Sequence, residues 1–528
     1  MKSTPKLLNW LDQNLLTVIA GFLIIFLPLY PKWPLFDILP GYNVRVRLED
    51  FLILGTAVFF LIQVIRGKIK PVKAPLFKPV AFYLVVGFLS VLSAIFVTRT
   101  VNPEYLQIAK IFLHWFRRLE YFSLFFIFFF ALKHPKQIKN FLLLLGAAVF
   151  GVTIYGYGQK YLYWPAYSTM NREFSKGVAL YLTEHARVLS TFGGHFDLAA
   201  YVMITIIPLI VLGFLVKSWR LRAVIFFTVI LEYWLLILSA SRTSWLAYMV
   251  GISVALGLLA FKKRWLWVLT RWLGVVSLSL LVMLSFGDLS ERFSHVFKLE
   301  GIRAFLVKPF RSPPEGGIPL DTNLTPEQQL SLVATRTDIP PTTVLPSPKI
   351  RPADVYDDTY EKLVAYLATA SPETSVEISY SENALKYGLS AGIRLDVLWP
   401  NAVKALKTNP LLGTGYSTLV KAHVWEFTTA ESTDNDYLRL LGETGLLGFV
   451  SFLAIIFVVI KTLFASLKKA RDPLHFGLFA AGIGATVGML VNATYIDVFE
   501  ASKVAYAYWS LIGLILALAV KWKNQKSF

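Results

Sequence analysis

The sequence has no cysteine among its 528 residues. That excludes disulfides, thiolate metal sites and a cysteine nucleophile, and leaves the compartment open. Charge is also scarce. Only 16% of residues are Asp, Glu, Lys or Arg, against about 25% in an ordinary soluble domain. Acids are scarcer than bases, 33 against 52, so the formal net charge is +19. In their place stand 55% hydrophobic and 15% aromatic residues. This excludes an ordinary cytosolic enzyme and a disordered tail. In a soluble protein such a positive excess raises nucleic acid as a partner. In a chain this apolar it fits the basic bias of cytoplasmic membrane loops, and no nucleic-acid partner is expected. Histidine is limited to 7 residues with no recognisable metal-ligand spacing, so no metal is expected. No Walker-type loop occurs, and no cofactor is expected.

What is present is a series of apolar runs, near 15–30, 48–65, 80–97, 119–132, 141–161, 196–216, 223–238, 244–261, 265–286, 445–464, 474–495 and 504–520. They predict an all-α polytopic membrane protein with about 12 transmembrane helices. Lys2 and Lys6 precede the first run and no small-residue cleavage pattern follows, which reads as an uncleaved span. Every even-numbered run exits into bases: Arg66 to Lys78, Lys133 to Lys139, Lys217 to Arg222, Lys262 to Arg264, Lys461 to Arg471 and Lys521 to Lys526. Both termini are therefore expected in the cytoplasm. The odd-numbered exits carry arginine instead, including Arg99, Arg117, Arg118, Arg187 and Arg242. Arginines there snorkel and pair at the interface, or supply forked donors for a phosphate or diphosphate.

Residues 1–286 thus hold spans 1–9, residues 445–528 hold spans 10–12, and 287–444 form an extracytoplasmic insertion, partly helical and partly disordered. The Pro-rich stretch 313–352 is expected to be disordered. A short helix is expected over Asp358–Leu367, and 382–444 is expected to be helical and site-bearing, with apolar Ile393, Val397, Trp399, Val403 and Leu406 on Glu382–Lys407. No internal repeat is visible.

Four segments carry chemistry. Glu184 to Asp197 concentrates Arg187, His185 and His195 with two acids at the entry to the sixth span. Ser239-Ala240-Ser241-Arg242 joins the seventh and eighth spans, where a charge between hydroxyls is either a snorkelling arginine or a functional group. Asn409-Pro410-Leu411-Leu412-Gly413-Thr414-Gly415 is a turn whose Gly413 and Gly415 let backbone N–H groups approach a phosphate, or simply make a loop. Asp434-Asn435-Asp436-Tyr437 opens a helix that turns at Gly445 and continues as a span, with Thr433 and Asp436 spaced as a capping box. Asp434 is either a cap or a general base near the bilayer surface. Glu232 falls near the middle of the seventh run, where an acid has a partner or a role. Arg118 with Glu120, and Asp497 and Glu500 with Lys503, are expected to pair near the outer surface.

Taken together, the four segments resemble the O-antigen ligase and polymerase superfamily of bacterial membrane glycosyltransferases. The resemblance covers roughly residues 180–460 and lies in the order and outward placement of the four blocks. Asn435, nine intervening residues and Gly445-Leu446-Leu447-Gly448 fit the family pattern, but Asp434 stands where the family has histidine. The resemblance implies a GT-C-like helical fold in the bacterial cytoplasmic membrane with an extracytoplasmic active site. It implies an undecaprenyl-diphosphate-linked glycan donor and a lipid, glycan or protein acceptor, alongside membrane lipids. Asp434, Arg242 and Arg187 are the expected catalytic residues. Arg394, Asn435, Gly413, Gly415, Tyr437 and His195 are the expected substrate contacts. Transfer is expected to be metal-independent and inverting, because one in-line displacement reverses the anomeric centre. Ligase and polymerase remain alternatives within the class. A transporter for lipid-linked saccharides would predict repeated halves and a charged midplane path. A scaffold would predict that Arg187 and Asp434 are dispensable.

Overall fold

The computed structural model describes residues 6–38, 45–170, 174–183, 186–286, 381–419 and 432–524. The expected Pro-rich stretch, the helix over Asp358–Leu367 and His185 lie outside them. The chain forms two units, Met1–Phe293 with Val397–Phe528, and Ser294–Asp396.

In the first unit the helices are α1 (Lys6–Leu29), α2 (Leu48–Ile65), α3 (Phe77–Phe96), α4 (Tyr105–Ala131), α5 (Ile138–Tyr161), α6 (His195–Leu215), α7 (Trp219–Leu238), α8 (Arg242–Leu258) and α9 (Trp265–Ser285). In the second unit are α10 (Glu382–Tyr387) and α11 (Leu389–Ile393). The first unit resumes with α12 (Trp399–Thr408), α13 (Asp436–Lys469), α14 (Pro473–Asn492) and α15 (Ser502–Asn524). A two-residue pair, β1 (Phe36–Asp37) against β2 (Arg45–Val46), is antiparallel. This is an all-α polytopic membrane protein. Among the described residues, eleven helices are long and apolar enough to cross a membrane. The fourth expected run lies instead in the 27-residue α4, whose first two thirds carry Lys110, Arg117, Arg118 and Glu120.

Local chemistry sets the helix ends. Ser218 and Ser241 accept hydrogen bonds from the third backbone N–H beyond them, Leu221 N and Ser244 N, and Asp472 accepts from Leu474 N. Burial then sorts the helices. The α6 and α15 windows are 83% and 89% enclosed, whereas that of α9 is 17% enclosed. Helices apolar all round sit in the middle of such a bundle or face lipid at its edge. The α8–α14 crossing is close, with Gly251 and Gly484 each set against the other's backbone carbonyl.

The basic loops join α2 to α3, α4 to α5, α6 to α7, α8 to α9 and α13 to α14. The segments singled out by their chemistry lie at the opposite helix ends. All six non-glycine residues with positive φ among the described residues also lie there: Arg99, Tyr163, Ser190, Ala240, Ser417 and Asp434. Left-handed backbone costs of order 1–3 kcal/mol at such a residue and persists where its surroundings over-determine it, a pattern concentrated at functional sites.

The described part of the second unit is organised by Asp396. Its carboxylate accepts Ser381 Oγ at 2.5 Å and Asn383 Nδ2 at 2.6 Å. Arg394 is buried in this unit and donates to the Ser390 carbonyl at 2.6 Å.

Candidate functional site

The helix break in α13 organises one side of the site. Gly445 has φ 65° and ψ −167°, outside helical space, within a 34-residue helix. A break frees carbonyls before it and N–H groups after it, which must find other partners in an apolar environment. The 409–415 turn supplies them. Thr414 N donates to Gly442 O and Gly415 N to Glu443 O, both at 2.9 Å. In return Leu446 N donates to Pro410 O at 2.8 Å and Leu447 N to Leu411 O at 3.2 Å. The backbones touch. A Cβ on Gly413 would come within 2.5 Å of Glu443 backbone, and one on Gly445 within 2.4 Å of Leu411 backbone. Gly413 and Gly415 thus serve a backbone-to-backbone splice, and the Thr414 and Gly415 N–H groups are already donated.

The splice places Glu443 at the centre of a buried ionic chain. Glu500 accepts from Arg118 at 2.6 Å and Arg118 reaches Glu443 at 3.3 Å. Glu443 accepts from Arg439 at 3.2 Å, and Arg439 donates to Asp497 at 2.9 Å. Five side chains of alternating sign therefore run from the α14–α15 connection through α4 and α13 and back to that connection. Glu443 also accepts Ser417 N at 3.0 Å. Burial pushes the Glu500 carboxyl above the usual carboxylate range, with Arg118 and Arg439 pulling against it. Of these residues, Arg118, Asp497 and Glu500 were expected to pair, but Glu443 and Arg439 were not singled out. Their i, i+4 spacing on one helix was the available signal. Glu120 pairs with Arg117 rather than Arg118, at 2.8 Å. Lys503 does not pair with Asp497 or Glu500. Its ammonium is enclosed by the Pro28, Tyr30 and Thr191 carbonyls.

Asp497 ends the chain and grips the segment that bears Asp434. It accepts Asn435 N at 2.7 Å and lies 2.7 Å from Ser432 Oγ and 3.3 Å from Thr433 Oγ1, whose single protons are also within reach of Asp434 Oδ1 and Asn435 O. Asp434 stands between these residues with φ 50°. It is half-buried, and its Oδ1 lies 2.8 Å from Ser432 Oγ. The helix cap is Asn435, whose Oδ1 accepts Leu438 N at 3.0 Å, and not the expected Thr433. Asn435 Nδ2 donates to Thr494 O at 2.9 Å, and Asp436 N to Ala493 O at 3.0 Å. Tyr437 is half-buried and donates its hydroxyl to Leu490 O at 2.7 Å.

The end of α14 ties this segment to the hairpin before α8. Asn492 Nδ2 donates to Ser244 Oγ at 3.1 Å, and Ser241 Oγ lies 2.9 Å from Ser244 Oγ. Arg242 is the first residue of α8, between those two serines. The hairpin in turn meets the Arg187 segment, where Val188 N donates to Leu238 O at 3.2 Å. Arg187 Nη1 lies 2.8 Å from His195 Nε2, and because a guanidinium only donates, Nε2 accepts. Three of the four segments are therefore linked by hydrogen bonds through Asn492 and Leu238, and the fourth is spliced into the helix that Asn435 caps. Arg394 lies in the second unit. Glu232 is buried within α7 and receives the Thr205 hydroxyl, away from this end.

Residues 363–453 match the family model described as O-antigen ligase. The matched segment holds two of the four motif blocks, the 409–415 turn and Asp434 through Gly448, and bears out the resemblance to that superfamily. It supports an enzyme of the O-antigen ligase or polymerase type. A comparison with curated proteins found no match.

Proposed function

We propose that the chain is a membrane glycosyltransferase that moves a glycan from undecaprenyl diphosphate to an acceptor hydroxyl on the outer face of the bacterial cytoplasmic membrane. The observation that carries this reading is the linkage, at one bundle end, of the segments that bear Asp434, Arg242 and Arg187, through Asn435–Thr494, Asn492–Ser244 and Val188–Leu238. A carboxylate and two guanidiniums suit displacement of a diphosphate. The acceptor O–H gives its proton to Asp434 as its oxygen bonds to the anomeric carbon. The bond from that carbon to the diphosphate oxygen breaks, and Arg187 and Arg242 meet the charge that develops on the leaving group. One in-line attack inverts the anomeric centre, and the diphosphate leaves without a metal.

Asp434 takes the place of the family's histidine. Its left-handed backbone and its short contact to Ser432 Oγ orient the carboxylate, and its partial exposure leaves it open to an acceptor. The test is the glycan profile of cells lacking the gene, complemented with wild type, Arg242→Ala or Asp434→Ala. Both variants should be inserted at near-normal abundance and abolish transfer. Long glycan held on the carrier, beside bare acceptor, identifies a ligase; single-repeat glycan on the acceptor identifies a polymerase. Normal profiles from both variants would overturn the assigned site.

A further inference from the structure

A cavity of about 710 Å³ lies between α2 and α4. That is within the 300–1000 Å³ or so of small-molecule sites. Its two ends differ in chemistry. One is walled by Ile53, Leu54, Phe116 and Leu119. Leu54, Phe116 and Leu119 are exposed on helices of a membrane protein, so this end opens sideways to where lipid chains lie. The other end carries Asp50, Glu120 and Glu500 with Arg117 and Arg439.

The charge of that polar end selects the ligand. With the groups these side chains pair with, Arg118, Glu443 and Asp497, five carboxylates meet three guanidiniums, so the linked set is net negative with all ionised, and a diphosphate would add charge of the same sign. Sugar hydroxyls carry none and donate hydrogen bonds. A carboxylate has about four acceptor positions. Among the described residues, Asp50 accepts Arg117 Nη1 and Arg47 N, each at 2.8 Å. Glu120 accepts Arg117 Nη1 at 2.8 Å and the Tyr506 hydroxyl at 2.6 Å. Both keep room for further donors, and both are about a fifth exposed. Arg439 joins this end to the site, because its Nη1 holds Asp497, and Asp497 holds Asn435 N beside Asp434.

We infer that the α2–α4 cavity binds a lipid with an uncharged, hydroxyl-rich sugar head, the sugar against Asp50 and Glu120 and the chain along Leu54 and Phe116. Its assignment as the acceptor site rests on the transferase reading; the binding itself does not. The two substrates would then reach Asp434 from different sides, the diphosphate at Arg187 and Arg242 and the acceptor through this cavity.

The test uses the full chain in nanodiscs, with a diazirine-bearing dodecyl glucoside as photoprobe. Labelling of α2 and α4 peptides should saturate and be displaced by unlabelled alkyl glucoside but not by farnesyl diphosphate. Ala57→Trp and Leu54→Trp, which narrow the apolar wall, should each weaken probe binding at least about tenfold, near 1.4 kcal/mol. Leu54 is exposed, so the second variant keeps the test open if the first fails to fold. Displacement by farnesyl diphosphate below the glucoside concentration would overturn the inference in favour of an anion site. Labelling that does not saturate and is unchanged in both variants would overturn it in favour of plain lipid contact. Arg242→Ala and Asp434→Ala should bind the probe as wild type does. If they bind normally and also transfer normally, the transferase reading fails while the sugar-lipid site stands.

Discussion

Glu443 holds two buried guanidiniums and one backbone N–H at once. Removing one partner of a buried pair leaves a charge without compensation, at a cost of about 3–5 kcal/mol. Glu443→Ala takes one carboxylate from each arginine but leaves Arg118 on Glu500 and Arg439 on Asp497. We expect a loss below that range, read as a lowered melting temperature and reduced folded yield in detergent; unchanged melting would mean that Glu500 and Asp497 alone hold the arginines. Asp497 has a different task. It meets Ser432, Thr433, Asn435 and Arg439 and so fixes the segment carrying Asp434. Asp497→Asn keeps the volume but turns an N–H2 towards those donors. Misplacement by about 1 Å can cost up to about 100-fold in rate. The expected result is a fall in kcat of that order with KM little changed and a smaller drop in melting temperature than for Glu443→Ala. A change confined to KM would assign Asp497 to binding instead.

At the scale of elements, the break in α13 and the 409–415 turn are one structure. Gly413 and Gly445 have φ of 68° and 65°, and a methyl group on either would collide with the other strip's backbone. Left-handed strain alone costs about 1–3 kcal/mol at a non-glycine residue, and the overlap adds to it. Gly413→Ala and Gly445→Ala are expected to reduce folded protein sharply, measured by fluorescence-detected size exclusion, while Gly274→Ala, with open space at its Cβ, serves as a neutral control. The sequence revealed both glycine turns and the bend at Gly445, because glycine spacing is a local signal. Their pairing was hidden, because nothing local ties Pro410 O to Leu446 N. The Asn435 cap was misread as Thr433 for the same reason. Asn435 is held in the cap position by Asp497 and Thr494, far along the chain, while Thr433 Oγ1 lies 2.9 Å from Asn435 O.

Over the whole molecule, twelve apolar runs correspond to helices α1–α9 and α13–α15. The fourth run was read short, from 119, because Arg117 and Arg118 interrupt its apolar character. Their charges are cancelled by α2, α13 and the residues before α15, contacts that hydropathy does not see. The absence of cysteine makes the proposed orientation directly testable. Single cysteines at exposed Asn102 and Lys263 lie at opposite helix ends. In spheroplasts, a membrane-impermeant maleimide should label Asn102→Cys at once and Lys263→Cys only after lysis. The reverse pattern would put Asp434 in the cytoplasm.

The splice between residues 409–415 and 442–447 also predicts which length changes related chains tolerate. Both strips exchange hydrogen bonds residue for residue, so an insertion or deletion inside either one shifts the register and unpairs several buried groups together. Length added to a flexible connection costs little by comparison, about 0.6 kcal/mol of closure entropy for each doubling. Homologues should therefore differ in length between the two strips and stay constant within them, which an alignment of such chains can check.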